Sequence, residues 1–380
     1  MTGVKGRVLV TGAAGFIGSR VCEELAGRGY KVTGIDNLCP YYSPIFKAAR
    51  LKRMGINGME SLQVMSAAGG LPAEEKYYAT PYGRRAESSI YPGLTFVYGD
   101  ILDSPLVERI GSEDGGYDVI IHLAAQPGAR YSFDNPEGCV ETNVVGFLRI
   151  LEVCRKRSPS LLVYASSSSV YGTAGSMPSE EQDLSGRMQS VYAVSKRCDE
   201  LLADVYTRQY GFRAVGLRYF SVYGPWGRPD MAPMLFAGAM CSGKPVDVYG
   251  DGGMRRDFTY IEDVVRATVE VVEVCGKDRR LPVGGHGIYN VGCGSPVTLS
   301  QFVYRLAESL GREAVCRHVP APPGDVTVNC ADGTRLRELC GFSPTVRIKE
   351  GLRLFAAWYQ SPLNPAAPEE FQIEKKQTQS

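Results

Sequence analysis

Apolar residues recur along the chain in two rhythms, short unbroken runs and longer stretches at helical spacing. "RVLVTG" (7–12) is an apolar run of the kind a strand buried on both faces carries. "AAGFIGSRVCEELAGRG" follows it at helical spacing and stops on Gly29, where a helix end favours glycine. The runs continue with "KVTGID" (31–36), "LTFVYGDI" (94–101), "YDVIIHLAA" (117–125), "SLLVYASS" (160–167) and "RAVGLRYF" (213–220), and helical spacing fills about 136–156 and 190–210. Strands that alternate with helices predict an α/β protein with a doubly wound parallel sheet.

After residue 220 the texture changes to turns such as "YGPWGRPDMAPM" and "VYGDGGMRRD", broken by the helical "YIEDVVRATVEVVEV" (260–274) and the strand-like "GIYNVG" (287–292). The expected plan is a sheet domain over 1–220 that 257–292 rejoins, and a smaller C-terminal substrate-binding lobe from 221–256 and 293–360. Residues 55–92 have several breakers and little periodicity, and read as an insertion too long for a βα loop. The tail 361–380 has no apolar face, so disorder is expected there.

Composition narrows the partners. The formal net charge of +1, without a basic cluster, argues against nucleic acid. No apolar run reaches the ~18–20 residues of a spanning helix, so no membrane partner is expected and the expected compartment is cytoplasmic. Eleven cysteines, an odd number with no C-x-x-C pair, predict free buried thiols. Three histidines in unrelated contexts predict no metal site.

The first strand runs into "GAAGFIG", which places Gly12, Gly15 and Gly18, with Phe16 and Ile17 between them, where a strand enters a helix. Backbone N–H groups there approach a pyrophosphate, the Rossmann arrangement. Asp36 ends the second strand, followed by Asn37, and is placed to accept both adenosine ribose hydroxyls. A carboxylate there repels a 2′-phosphate, which favours NAD over NADP. Asp100 and Ile101 end a strand where an adenine edge would lie, and Leu123, Ala124, Ala125 and Gln126 end the next with small residues. Small residues admit a cofactor or tight helix packing alike. His122 reads as a satisfied core histidine.

"SVYAVSKRCDELL" carries Tyr192 and Lys196 four apart on one helix face, and Ser166 to Ser169 lie at the mouth of the preceding strand. A free tyrosine, with a pKa of ~10, is a poor base. A neighbouring ammonium and an oxidised nicotinamide both favour the phenolate, which would then accept a sugar hydroxyl proton.

The glycine loop, the Y-x-x-x-K pair and a serine 25 residues before the tyrosine resemble the extended short-chain dehydrogenases/reductases, specifically the NAD-dependent nucleotide-sugar epimerases. "DNLCPYY", "HLAAQPGARYS", "ASSSSVYG", "RYFSVYGPWGRPDM", "RRDFTYIEDV" and "CGFSPTVRIKEGLRLFAAWY" are similar, within that group, to the UDP-glucuronate 4-epimerases. The resemblance implies Ser167 as the catalytic hydroxyl beside Tyr192 and Lys196, and Asn143 as an asparagine facing NAD. It also implies Tyr249 stacking on uracil, Arg228 and Arg256 reaching the diphosphate of a UDP-sugar, and a homodimer through the helices near 136–156 and 190–210.

Related dehydratases and decarboxylases carry acids before V-Y-G, where this chain has Ser168 and Ser169. Without an acid there, elimination and acid-assisted decarboxylation lack a proton carrier. Glucose-type 4-epimerases carry asparagine after R-Y-F, where this chain has Ser221; with Ser168, Ser169 and Arg130 it would hold a C6 carboxylate. Pro322 replaces the arginine with which glucose-type relatives hold the diphosphate. The expected reaction is 4-epimerisation of UDP-glucuronate to UDP-galacturonate. The alternatives are neutral UDP-hexose epimerisation, UDP-glucuronate decarboxylation, and a silent NAD-binding regulator.

Overall fold

The computed structural model describes residues 5–58, 82–173, 177–277, 280–321 and 326–367. The apolar runs form β1 (Arg7–Thr11), β2 (Lys31–Asp36), β3 (Arg85–Glu87), β4 (Leu94–Tyr98), β5 (Val119–His122), β6 (Leu161–Ser167) and β7 (Ala214–Tyr219). Beyond them lie β8 (Ser221–Tyr223), β9 (Val246–Tyr249), β10 (Arg255–Arg256), β11 (Phe258–Tyr260), β12 (His286–Val291), β13 (Val297–Thr298) and β14 (Cys316–Val319). The main sheet has the order β12-β7-β6-β5-β1-β2-β4-β3, parallel throughout except for β3, which pairs antiparallel to β4.

The main helices are α1 (Phe16–Gly27), α2 (Ile45–Arg53), α3 (Ser104–Ser112), α4 (Gly146–Arg157), α5 (Val191–Tyr210), α6 (Ala232–Cys241), α7 (Ile261–Lys277), α8 (Leu299–Leu310), α9 (Thr334–Cys340) and α10 (Ile348–Tyr359). Strand side chains alternate between faces. Val8 and Val10 therefore join one apolar cluster with Val21 and Leu25 of α1 and Val264 of α7, while Leu9 joins the opposite one with Ile110 of α3, Phe147 and Ile150 of α4 and Ala203 of α5. Both faces of the sheet are covered, which is why its strands read as unbroken apolar runs.

β12 continues the sheet beside β7, and α7 packs on α1. β11 instead pairs with β8 outside the main sheet, and β9 pairs with β14. The helix expected over 136–156 is broken: Pro136–Val140 passes into a π-helical turn at Glu141–Val145 before α4 begins. α2 and α3 are elements that the sequence reading leaves out. Part of the expected insertion is sheet edge, since β3 lies within 55–92 and Ile56 bridges Ser88; residues 59–81 lie outside the described residues.

The start of the expected tail is packed, because Asn364 is buried and donates to the Tyr359 carbonyl at 2.9 Å. Residues 368–380 and Pro322 fall outside the described residues. The eleven cysteines are all free; five are buried, five are half-buried and Cys316 is exposed. Among the described residues, no helix is long and apolar enough to cross a membrane.

Candidate active site

The strand order reverses between β1 and β5, and the C-terminal ends of the strands on either side open into a cavity of about 480 Å³. A crevice at such a switch point is where doubly wound sheets take ligands. Gly12 lies at φ +73°, and a Cβ there would stand 2.7 Å from the Ala124 nitrogen. A Cβ on Gly18 would clash with the Gly12 oxygen. The loop is therefore closed to side chains on its inner side, and it leads through Gly15 into the N-terminus of α1. Gly12, Gly15, Phe16, Ile17 and Gly18 all line the cavity.

Asp36, at the end of β2, is buried and already accepts three donors. Leu38 N (2.7 Å) and Lys47 Nζ (3.0 Å) reach Oδ1, and Ala14 N (3.1 Å) reaches Oδ2. This narrows the expectation that Asp36 takes both ribose hydroxyls, since Oδ1 is committed to two protein donors. Lys47 is a lining residue that the sequence reading misses. Burial works against its ammonium, but Asp36, Tyr42 and Cys39 together outweigh burial and raise its pKa above the ordinary value. Asn37 Nδ2 donates to Asp100 Oδ2 at 2.8 Å, joining the ends of β2 and β4, and Ile101 lines the cavity beside them.

Leu123, Ala124, Ala125 and Gln126 continue β5 along the cavity wall. His122, one residue earlier, is buried, bonds Thr11 Oγ1 through Nδ1 at 2.8 Å and stacks on Phe147. Burial first, then the charge of Lys196, lowers its pKa to about 3 and keeps it neutral. Asn143 departs from the expectation that it faces a cofactor. It is fully buried, accepts from Gln126 N (2.7 Å), and donates to Gln126 O (3.2 Å) and Ser195 Oγ (2.9 Å). The π-helical turn carries Asn143 behind the wall, where it holds Gln126 from the rear.

The four serines divide. Ser166 Oγ donates to Glu200 Oε1 at 2.6 Å and belongs to a buried network, because Glu200 also receives Arg218 at 2.7 and 2.8 Å. Ser167 Oγ accepts from Ser169 N and donates to Ser169 Oγ, both at 3.1 Å, at the start of the 3-10 turn Ser168–Tyr171. All four serines, Ser166 to Ser169, line the cavity together with Tyr192, Lys196 and Ser221. Ser190 caps α5 by accepting from Ala193 N, and Tyr192 N donates to Ser132 Oγ at 3.1 Å, so the first turn of α5 is held at both ends. Lys196 is buried; burial works against its charge, but Asp199 and Tyr192 outweigh it and raise its pKa.

Arg228 and Arg256 also line the cavity. Arg228 forms a two-pronged pair with Asp230 and lies over the Tyr41 ring at 5.6 Å. Arg130 and Tyr249 do not line it. Arg130 Nη1 donates to Tyr249 OH at 2.8 Å, with its guanidinium 4.5 Å from the ring centre, so the two are brought to each other. Among the described residues, the acids that line the cavity are Asp36, beside the glycine loop, and Asp100, bonded to Asn37, and no group of three or more His, Cys, Asp or Glu is placed to hold a metal.

The chain matches the NAD dependent epimerase/dehydratase family over residues 8–292. It belongs to that family. A probable UDP-glucuronate 4-epimerase of Rhizobium meliloti (strain 1021) is 35% identical over 367 residues, covering 93% of this chain and 96% of that protein. UDP-glucuronate 4-epimerase 1 of Arabidopsis thaliana is 34% identical over 364 residues, covering 93% of this chain and 76% of the relative. The crystal structure of UDP-glucuronic acid 4-epimerase from Bacillus cereus, in complex with UDP-glucuronic acid and NAD, superposes with a TM-score of 0.75 at 30% identity, covering 93% of this chain and 98% of that one. As a family member, this epimerase-fold chain uses NAD, and its glycine cradle and Asp36 suit that dinucleotide.

Proposed function

We propose that the protein interconverts UDP-glucuronate and UDP-galacturonate by oxidation and reduction at C4 of the sugar. The observation that carries this reading is a cavity that joins the glycine cradle to Ser167, Tyr192 and Lys196 and is lined at its serine end by no acid among the described residues. The relatives named above support the substrate. Gly12, Gly15, Phe16, Ile17, Gly18, Asp36, Asn37, Asp100, Ile101 and the wall Leu123–Gln126 hold NAD. When bound, NAD supplies the hydride acceptor and donor at C4.

The residues of the chain manage protons and position. Tyr192 takes the 4-hydroxyl proton as the sugar is oxidised and returns it on reduction, Ser167 shares that proton, and Lys196 favours the phenolate. Arg228 and Arg256 hold the diphosphate, and Tyr249 holds the base once Arg130 leaves its ring. The sugar turns over between the two steps while the nucleotide stays anchored.

Ser168, Ser169, Ser221 and the released Arg130 hold the C6 carboxylate. A 4-keto uronic acid loses carbon dioxide when the C5–carboxylate bond stands perpendicular to the carbonyl plane, and this grip keeps it from that alignment. A neutral UDP-hexose gains nothing from the grip, so comparing uronate with hexose substrates tests it.

Residues 221–256 and 293–360 form the UDP-sugar lobe in this reading. The protein acts as a homodimer in the cytoplasm in this reading, and the dimer is supported by exposed apolar residues along the two helical segments: Val140 and Val145 on one, and Val194, Leu201 and Val205 on the other. The decisive variant is Tyr192→Phe, which keeps the ring and removes the proton carrier. It is expected to retain NAD and lose turnover by ~100-fold or more; normal turnover would refute the mechanism.

A further inference from the structure

Next to Lys196 lies a carboxylate that the proton transfer above leaves unused. Asp199 follows Lys196 by three residues on α5, and Tyr192 precedes Lys196 by four, so the three share one helix face. Lys196 Nζ donates to Asp199 Oδ2 over 3.1 Å, and both side chains are 1% exposed. The other oxygen, Oδ1, is buried without a hydrogen-bond partner among the described residues. A buried carboxylate with an unmet oxygen is costly to maintain. Its contact is with the lysine that favours the phenolate.

We propose that Asp199 is a positioning residue for proton transfer at Tyr192: it fixes the Lys196 ammonium through one N–H, and its negative charge limits how strongly that ammonium favours the phenolate. The inference rests on the reading of Tyr192 as the base. An ammonium has three donors, so the bond to Asp199 leaves two for the cavity. A neutral group at position 199 would leave the lysine charge unopposed.

The surroundings single out Asp199 as the group that titrates in an accessible range. Burial, only partly offset by Lys196, pushes its carboxyl up to about 6. His122 on β5 stays neutral, as described. Burial raises the pKa of Cys139, in the Pro136–Val140 turn, and holds it as the thiol, and burial likewise raises that of Tyr164 on β6 well above the usual value. On α5 itself, burial works against the Glu200 carboxylate, but Arg218 outweighs it and holds its pKa below the ordinary value; Arg197 also bonds it. Of these neighbours, Asp199 changes charge near pH 6.

The test is the pH profile of kcat/KM for UDP-glucuronate in wild type, Asp199→Asn and Asp199→Ser, with Tyr192→Phe as control. Asp199→Asn keeps an acceptor and removes the charge. Its acid limb is expected to move to lower pH by roughly one unit, with KM within about twofold. Asp199→Ser also loses the direct contact; the same shift is expected with a lower kcat, and this variant carries the test if the asparagine protein does not fold. An acid limb that superposes on wild type or moves to higher pH, with Tyr192→Phe inactive, overturns the role of Asp199 alone. An active Tyr192→Phe overturns the reading beneath it.

Discussion

Lys47 Nζ donates to Asp36 Oδ1 at 3.0 Å beside the glycine loop, and both side chains are buried. Removing one partner leaves the other charge stranded, which in buried pairs costs about 3–5 kcal/mol. Lys47→Met is therefore expected to lower unfolding free energy by about 3 kcal/mol in urea titrations and to reduce the NAD that copurifies. Asp36→Asn in the same background should recover part of the stability, because no unpaired charge remains.

Gly18→Ala places a methyl against the Gly12 carbonyl, a backbone atom that cannot swing away. NAD content measured after denaturation should fall to near zero, while the far-UV spectrum still reports the sheet. An alanine variant that keeps stoichiometric NAD would place the cofactor elsewhere.

The Glu200 pair with Arg218 ties α5 to β7 and supports the Ser166 end of β6. The Glu200 pKa is held below its ordinary value. The folded form thus favours the carboxylate more than the unfolded chain does. The stabilisation is full above the unfolded value of about 4.3 and is lost as pH falls through the lower folded value. Glu200→Gln should cost about 3 kcal/mol at neutral pH and show a smaller further loss below about pH 4 than wild type, read by denaturation at several pH values.

Much of the sheet was legible because burial on both faces leaves apolar runs bounded by glycine and polar residues. β2 and the C-terminal end of β6 follow the sequence reading to the residue. α2 was not legible. Its sequence "IFKAARLKR" is basic, and Lys47 and Arg50 point inward only because Asp36 and the carbonyls of Ala14 and Trp226 meet them, partners up to 176 residues away. Distance in sequence also hid the bond between Arg130 and Tyr249 and the retreat of Asn143 behind Gln126. The Y-x-x-x-K spacing marked Lys196, but spacing alone gave Asp199 no distinction from any other helix acid.

Tyr249 offers its ring to Arg130 and, in the proposed complex, to uracil. Stacking of a base on an aromatic ring is worth ~1–3 kcal/mol. Tyr249→Ala should raise KM for the UDP-sugar roughly tenfold or more and leave kcat within a few-fold, as steady-state kinetics would show.

In the proposed reaction the chain inverts C4 of a UDP-uronic acid without losing its carboxyl carbon. Incubation of the holoenzyme with UDP-glucuronate, followed by separation of the nucleotide sugars, tests it most directly. UDP-galacturonate is expected to rise to a plateau, with no UDP-pentose and no build-up of reduced cofactor. A UDP-pentose as the main product, or turnover of neutral UDP-hexose with UDP-glucuronate left unchanged, would contradict it.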